Sequence, residues 1–381
     1  MTNKKKIGII TILRVNNYGA ELQAYALQKK LLDLGNDAEI IDYLFYKHRE
    51  YIPTKASRPF VRLGIKRKMK EFLFPFISFI KRIGVGTIAK RREEKFESFH
   101  KNHTKLSRTY HSITELEADN HDYDVYMTGS DQVWNPYSNT SLLPYLLHFA
   151  PTDKILMSYA SSFGVSQLPE DSKPYYAEYL KRFKNISVRE ESGIQIIKEL
   201  TDKMACLVLD PTFLLTQKEW AEIAVYPDIK TPYILIYELS SIPYIKKLAE
   251  FISVQSGYRI VRICKDSRIV DQHNNILNVC DAGPQEFIGF FLKASFIITN
   301  SFHGTAFSIN FQKPFYTVIS SRKENNSRQE SLLKMFELDD RLLSDFNPYF
   351  PKDYISCDFT ETESLLRKWR RESVNYLSII N

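Results

Sequence analysis

Twice along this chain, short apolar runs alternate with stretches of helical periodicity, and the two series divide near residues 215–230. In the first, an apolar run over 6–13 precedes Leu22, Ala26, Leu27, Leu31 and Leu34 at helical spacing. Gly35 supplies a stop and a second run over 38–43 follows. A strand, a helix and a strand in that order form the unit of a doubly wound parallel sheet. Further runs at 123–128, 155–159, 184–188 and 206–209 extend the series. After Trp220 the pattern restarts, with strands predicted at 233–239, 258–263, 296–299 and 314–318 and helices at 243–255, at 285–294 and from Thr305. The reading is α/β: two Rossmann-like domains with parallel sheets facing a cleft, residues 1–220 and 221–360. Residues 45–120 read as a basic, helical insertion in the first domain, and 361–381 as a helix packing back on that domain. There is neither an internal repeat nor a low-complexity tract.

At 381 residues, with 25 Phe and 23 Tyr, the chain can fill two aromatic-rich cores. Its four cysteines, Cys206, Cys264, Cys280 and Cys357, form no Cys-x-x-Cys pair, which argues against zinc and a redox dithiol. Free thiols fit a reducing, cytoplasmic setting. Lys4-Lys5-Lys6 precedes an apolar run that ends at Arg14, Asn16 and Asn17, too short for an export signal and read as a first strand. No run is long enough to span a bilayer.

Charge is concentrated. Residues 58–105 hold 14 Lys or Arg against 4 acidic residues, with Phe72, Phe74, Phe76, Ile77, Phe79 and Ile80 among them. Two readings stand: a solvated helical hairpin with an ordinary packed face, or a peripheral contact with an anionic membrane. Nucleic acid is not expected, because no recognised binding motif accompanies the charge.

The loops after predicted strands gather at one edge of a parallel sheet, where ligands bind. Thr299-Asn300-Ser301-Phe302-His303-Gly304 places an imidazole at a strand-to-helix turn, either for proton transfer beside an anion site or as a turn cap. Asn16-Asn17-Tyr18-Gly19-Ala20 opens the first helix, as an anion or sugar site or as a plain cap. Arg189, trailed by Glu190 and Glu191, suits bidentate anion binding or a local salt bridge. Asp131, in Gly129-Ser130-Asp131-Gln132, can position a hydroxyl or cap a helix. Trp134 can offer a sugar a flat face or fill a core. Arg328, near Asn325 and Asn326, is a second anion ligand or a surface arginine. There is no Gly-x-Gly-x-x-Gly turn after the first strand, no Walker loop and no cluster at metal-ligand spacing.

Taken in order, these segments resemble the polysaccharide pyruvyl transferase family. They are Gly8-Ile9-Ile10-Thr11 with Asn16 to Ala20 and Leu22-Gln23-Ala24-Tyr25, then Gly129 to Asn135, Ser158 to Gly164 and Val188 to Gly193. Leu209-Asp210-Pro211-Thr212 and Thr299 to Gly304 complete the set. The resemblance implies a GT-B-like fold. It also implies pyruvyl transfer from phosphoenolpyruvate, a co-substrate rather than a cofactor, to two hydroxyls of a saccharide or lipid-linked oligosaccharide, leaving a cyclic ketal. On it, His303 and Asp131 are catalytic. On it Arg189 binds the donor; the loops themselves add Ser301, Asn300, Gly304 and Arg328 as donor-side candidates and Asn17, Tyr18, Gly19, Gln132 and Trp134 as acceptor-side candidates, and with no visible ligand cluster no metal is expected. One departure stands out. Many members carry Arg-Leu-His where this chain has Ser301-Phe302-His303, so a donor-binding arginine is missing: either another cation replaces it, with Arg328 or Arg322 nearest in sequence, or the donor differs. The alternatives are a GT-B glycosyltransferase using a nucleotide sugar and a non-catalytic saccharide- or anion-binding member. The sequence sets no oligomeric state.

Overall fold

The first strand, β1 (Lys6–Ile10), is buried at every residue but its first, as a central parallel strand covered on both faces must be. The computed structural model describes residues 4–59, 86–264, 275–320, 326–345, 350 and 357–380. The chain divides into two compact units, Met1–Lys90 with His100–Pro211 and Asn375–Asn381, and Arg91–Phe99 with Thr212–Val374.

In the first unit, β1 leads to α1 (Tyr18–Asp33), whose N-cap Asn17 accepts hydrogen bonds from the amides of Gly19 and Ala20. Gly35, at φ +88°, turns the chain into β2 (Asp37–Tyr43). There follow α2 (Thr87–His103), β3 (Leu106–Tyr110), α3 (Ile113–Ala118), β4 (Val125–Thr128) and β5 (Ile155–Ser158). Then come α4 (Lys173–Leu180), β6 (Ser187–Val188), α5 (Glu191–Thr201) and β7 (Cys206–Leu207). The sheet order is β3-β2-β1-β4-β5, parallel throughout. A parallel β6-β7 pair joins it through bridges from Met157 and Ser161.

The stretch read as an insertion over 45–120 therefore contains a sheet strand. β3 pairs with β2, which makes α2 part of a crossover rather than an added module. As an edge strand, Leu-Ser-Arg-Thr-Tyr is only partly buried and lacks an apolar run to announce it. The expected membrane contact falls largely on residues 60–85, outside the described residues. In the described part, Arg91 pairs with Asp281 at 3.7 Å and Lys95 with Glu286 at 2.5 Å, so these two charges face protein partners.

The second unit contains α6 (Gln217–Ala221), β8 (Tyr233–Tyr237), α7 (Pro243–Ser256), β9 (Arg259–Ile263), β10 (Ile276–Val279) and α8 (Pro284–Lys293). It continues with β11 (Phe296–Thr299), α9 (Phe302–Asn310), β12 (Phe315–Ile319), α10 (Ser327–Met335), β13 (Leu342–Ser344) and α11 (Thr360–Ser378). Its sheet runs β10-β9-β8-β11-β12-β13, again all parallel. Both units are thus Rossmann-like. In each the strand order reverses beside the first strand, between β1 and β4 and between β8 and β11, and open α/β sheets bind ligands at the carboxyl side of such a switch point. Among the described residues no helix is long and apolar enough to cross a membrane.

Candidate functional site

At the switch point of the second sheet, Tyr237 ends β8 and Thr299 ends β11 in direct register. The Thr299 hydroxyl donates to the Tyr237 carbonyl at 2.6 Å and accepts from the Ser301 amide at 3.0 Å. Ser301 is the N-cap of α9 and its Oγ accepts from the Gly304 amide at 3.3 Å. Asn300 ties this turn to the loop after β8, accepting from Leu239 N at 2.7 Å and donating to Ser240 O at 2.6 Å. These side chains fix the turn, so Asn300 and Ser301 are scaffold for the neighbouring imidazole. The helix begins at Phe302, three residues earlier than expected, because Ser301 caps it.

His303 therefore lies in the first turn of α9, 7 % exposed, with the Phe302 ring edge-on at 5.3 Å. Arg328, on the first turn of α10, holds its guanidinium 6.0 Å from the centre of the same Phe302 ring. Gln329 donates to Asn300 O at 3.3 Å, which ties α10 to the turn. The Tyr237 hydroxyl bonds with Ser301. Burial holds this phenol above its ordinary pKa, against the opposing pull of Arg92 and Ser301, so it stays a neutral hydroxyl. The fold thus gathers Asn300, Ser301, His303, Gly304 and Arg328 at one sheet edge. A protonatable ring stands there in the first turn of a helix, and an arginine lies over the neighbouring Phe302 ring, an arrangement that suits proton transfer to an anionic ligand. Arg322 and Asn325 lie outside the described residues.

The first unit bears on two expectations. Arg189, expected either to bind an anion or to form a local salt bridge, has a side chain only 1 % exposed that meets three carboxylates. Nη1 lies 2.7 Å from Asp210, Nη2 3.5 Å from Asp131 and Nε 3.7 Å from Glu190. Burial opposes its charge, but Asp210, Asp131 and Glu190 together push its pKa up. A guanidinium facing three carboxylates serves as the counter-ion of a buried cluster. Trp134 is the second. It is fully buried, donates from its indole to Tyr145 O at 2.9 Å and packs against Phe163 and Phe183, so it offers no face to a sugar.

Asp131 sits at φ +69° and its Oδ1 accepts from the Gln132 amide at 2.8 Å, with the side chain 17 % exposed. Gln132 accepts from Asn135 at 2.7 Å. Asn17 caps α1, and Tyr18 is 1 % exposed, so it belongs to the core. Gly19 is buried and its amide donates to Asn17 at 3.0 Å. Sequence reasoning missed Tyr237, whose only signal was an aromatic residue near a strand end, and Asp210 as the partner of Arg189. Among the described residues no group of His, Cys, Asp and Glu is placed to hold a metal ion.

The family model described as polysaccharide pyruvyl transferase matches residues 17–322. No curated protein matches the chain. Among solved structures, a UDP-N-acetylglucosamine 2-epimerase is similar at 9 % identity and TM-score 0.53, covering 99 % of this chain and 95 % of that one. The UDP-GlcNAc 2-epimerase of Methanocaldococcus jannaschii, in complex with UDP-GlcNAc and UDP, is similar at 12 % identity and TM-score 0.48, covering 95 % and 99 %. The glycotransferase of kitacinnamycin is similar at 11 % identity and TM-score 0.48, covering 100 % and 99 %. The first of these likenesses shows a shared fold, the GT-B class of two Rossmann-like domains in one chain.

Proposed function

This chain belongs to the polysaccharide pyruvyl transferase family, and from that premise we propose that it moves the pyruvyl group of phosphoenolpyruvate onto two hydroxyls of a saccharide in cell-surface polysaccharide synthesis. The observation that supports this reading most is His303 in the first turn of α9, at the switch point of the second sheet. A proton must reach the methylene carbon of phosphoenolpyruvate. One acceptor hydroxyl attacks the neighbouring carbon, phosphate leaves, and the second hydroxyl closes the cyclic ketal. The two hydroxyls release two protons: one balances the new methyl group and the other leaves with phosphate. An imidazole titrates near neutrality and suits both directions of this traffic. Arg328, whose guanidinium lies over Phe302, is the proposed cation for one end of the donor. Asp131 is the proposed group for orienting an acceptor hydroxyl, since its carboxylate keeps some exposure.

Thermal unfolding with added ligand tests the reading, because a ligand that binds only the folded state raises the melting temperature. Phosphoenolpyruvate should raise it, and a panel of nucleotide sugars should not. A shift with a nucleotide sugar alone would replace pyruvyl transfer by glycosyl transfer.

A further inference from the structure

Phosphoenolpyruvate carries two anionic ends, a carboxylate and a phosphate, and Ser301 supplies no charge at the position where the resemblance implies an arginine. Arg328 approaches the site from the β12 side. The opposite side, above β8 and β9, is served by a helix from elsewhere in the sequence. Residues Arg91–Phe99 of α2 belong to the second unit. Arg91 and Lys95 fasten that segment through Asp281 and Glu286, at 3.7 and 2.5 Å. Lys95 also packs so closely on Gly283 that a Cβ there would lie 2.7 Å from the Lys95 Cβ. Between these two anchors, Arg92 reaches the sheet. Its Nη1 donates to the carbonyl of Cys264 at 3.2 Å, one residue past the end of β9, and its guanidinium lies 5.5 Å from the centre of the Phe96 ring. The neighbouring strand β8 ends in Tyr237, in register with Ile263 at the end of β9 on one side and with Thr299 at the end of β11 on the other. Arg262, near the end of β9, is held by Glu238 at 2.5 Å.

Resting on the pyruvyl transfer reading, we propose that Arg92 binds one anionic end of phosphoenolpyruvate at the carboxyl edge of the second sheet, in place of the arginine absent at Ser301. Arg92 then grips the donor from the β9 side and Arg328 from the β12 side, one cation for each anionic end. The geometry suits this because both arginines sit on helices, and helices place a side chain more firmly than loops do.

Titration calorimetry of the full chain with phosphoenolpyruvate tests it. Arg92→Gln should weaken binding about 10- to 100-fold, the usual loss when one charge-assisted hydrogen bond is removed. Arg92→Lys should recover part of that loss, because it restores the charge without the planar fork. Arg92→Met keeps the apolar stem over Phe96 and replaces the Gln variant if that protein misfolds. Lys95→Gln, which loosens the helix but leaves Arg92 in place, should bind within a factor of about 3 of wild type, since a partly exposed ion pair contributes little. If wild type binds and the folded Arg92 variant binds equally well, Arg92 has no such role. If Lys95→Gln loses as much as Arg92→Gln, the helix merely supports the site and the assignment of Arg92 fails. If wild type itself ignores phosphoenolpyruvate, the pyruvyl transfer reading falls and this inference falls with it.

Discussion

A Cβ on Gly304 would lie 2.2 Å from Oγ1 of Thr299, the oxygen that bonds the Tyr237 carbonyl at 2.6 Å. Helix α9 seats against the end of β11 only because position 304 carries no side chain. The obstacle belongs to a β-branched residue held by hydrogen bonds, so it cannot swing away. Gly304→Ala should lower stability by about 1–3 kcal/mol, as overpacking does, and shift His303 one residue away. Urea unfolding measures the first effect, and an unchanged midpoint would show that the helix slides without cost.

His303→Gln should cut turnover about 100- to 10,000-fold, the range for a lost proton-transfer group. The melting temperature should change little, because glutamine fills much of the same space. A folded His303→Gln protein with full pyruvyl transfer would remove His303 from the mechanism.

Arg189→Met should leave Asp210, Asp131 and Glu190 without their counter-ion. Breaking a buried ion cluster in this way costs about 3–5 kcal/mol. Chemical denaturation reads that loss directly. A variant as stable as wild type that no longer binds phosphoenolpyruvate would restore Arg189 as a donor ligand and refute its role in the cluster.

Asp119 gives a pH-dependent test. The Tyr110 hydroxyl at 2.5 Å and Arg108 at 2.8 Å hold its carboxyl down at about 2. A depressed carboxyl stabilises the fold above its unfolded value, about 3.9, and that contribution disappears as the pH falls through about 2. The pair is largely exposed, so solvent screening limits the effect to at most about 1 kcal/mol. Asp119→Asn should therefore be slightly less stable than wild type at pH 7, with the gap narrowing as the pH falls from 4 toward 2. A gap that stays constant over that span would mean the charge of Asp119 is not what the network holds.

The alternation of strands and helices was legible because the central strands are apolar throughout. Tyr-Ile-Leu-Ile-Tyr of β8 and Phe-Ile-Ile-Thr of β11 are buried at every residue. β3 was not legible, since an edge strand needs little apolar character. The turn around His303 was readable because a strand, a capping serine and a glycine follow one another within a few residues. Which of their two readings Arg189 and Trp134 follow was not legible, for a different reason. Residue type suggests what a side chain can do, but its partners decide what it does. Asp210 and Asp131 reach Arg189 from separate loops, and Trp134 is enclosed by Phe163 and Phe183. No local pattern carries such encounters.

Each compact unit borrows a piece of chain from the other half of the sequence: Arg91–Phe99 belongs to the second, and Asn375–Asn381 to the first. A polypeptide cut between Pro211 and Thr212 would yield two fragments that each lack part of themselves. The later half would have no Arg92 at its sheet edge, and the earlier half would miss Tyr376, whose hydroxyl donates to Ser158 O at 2.9 Å. Neither unit is thus one continuous stretch of sequence, so no single cut separates the two whole.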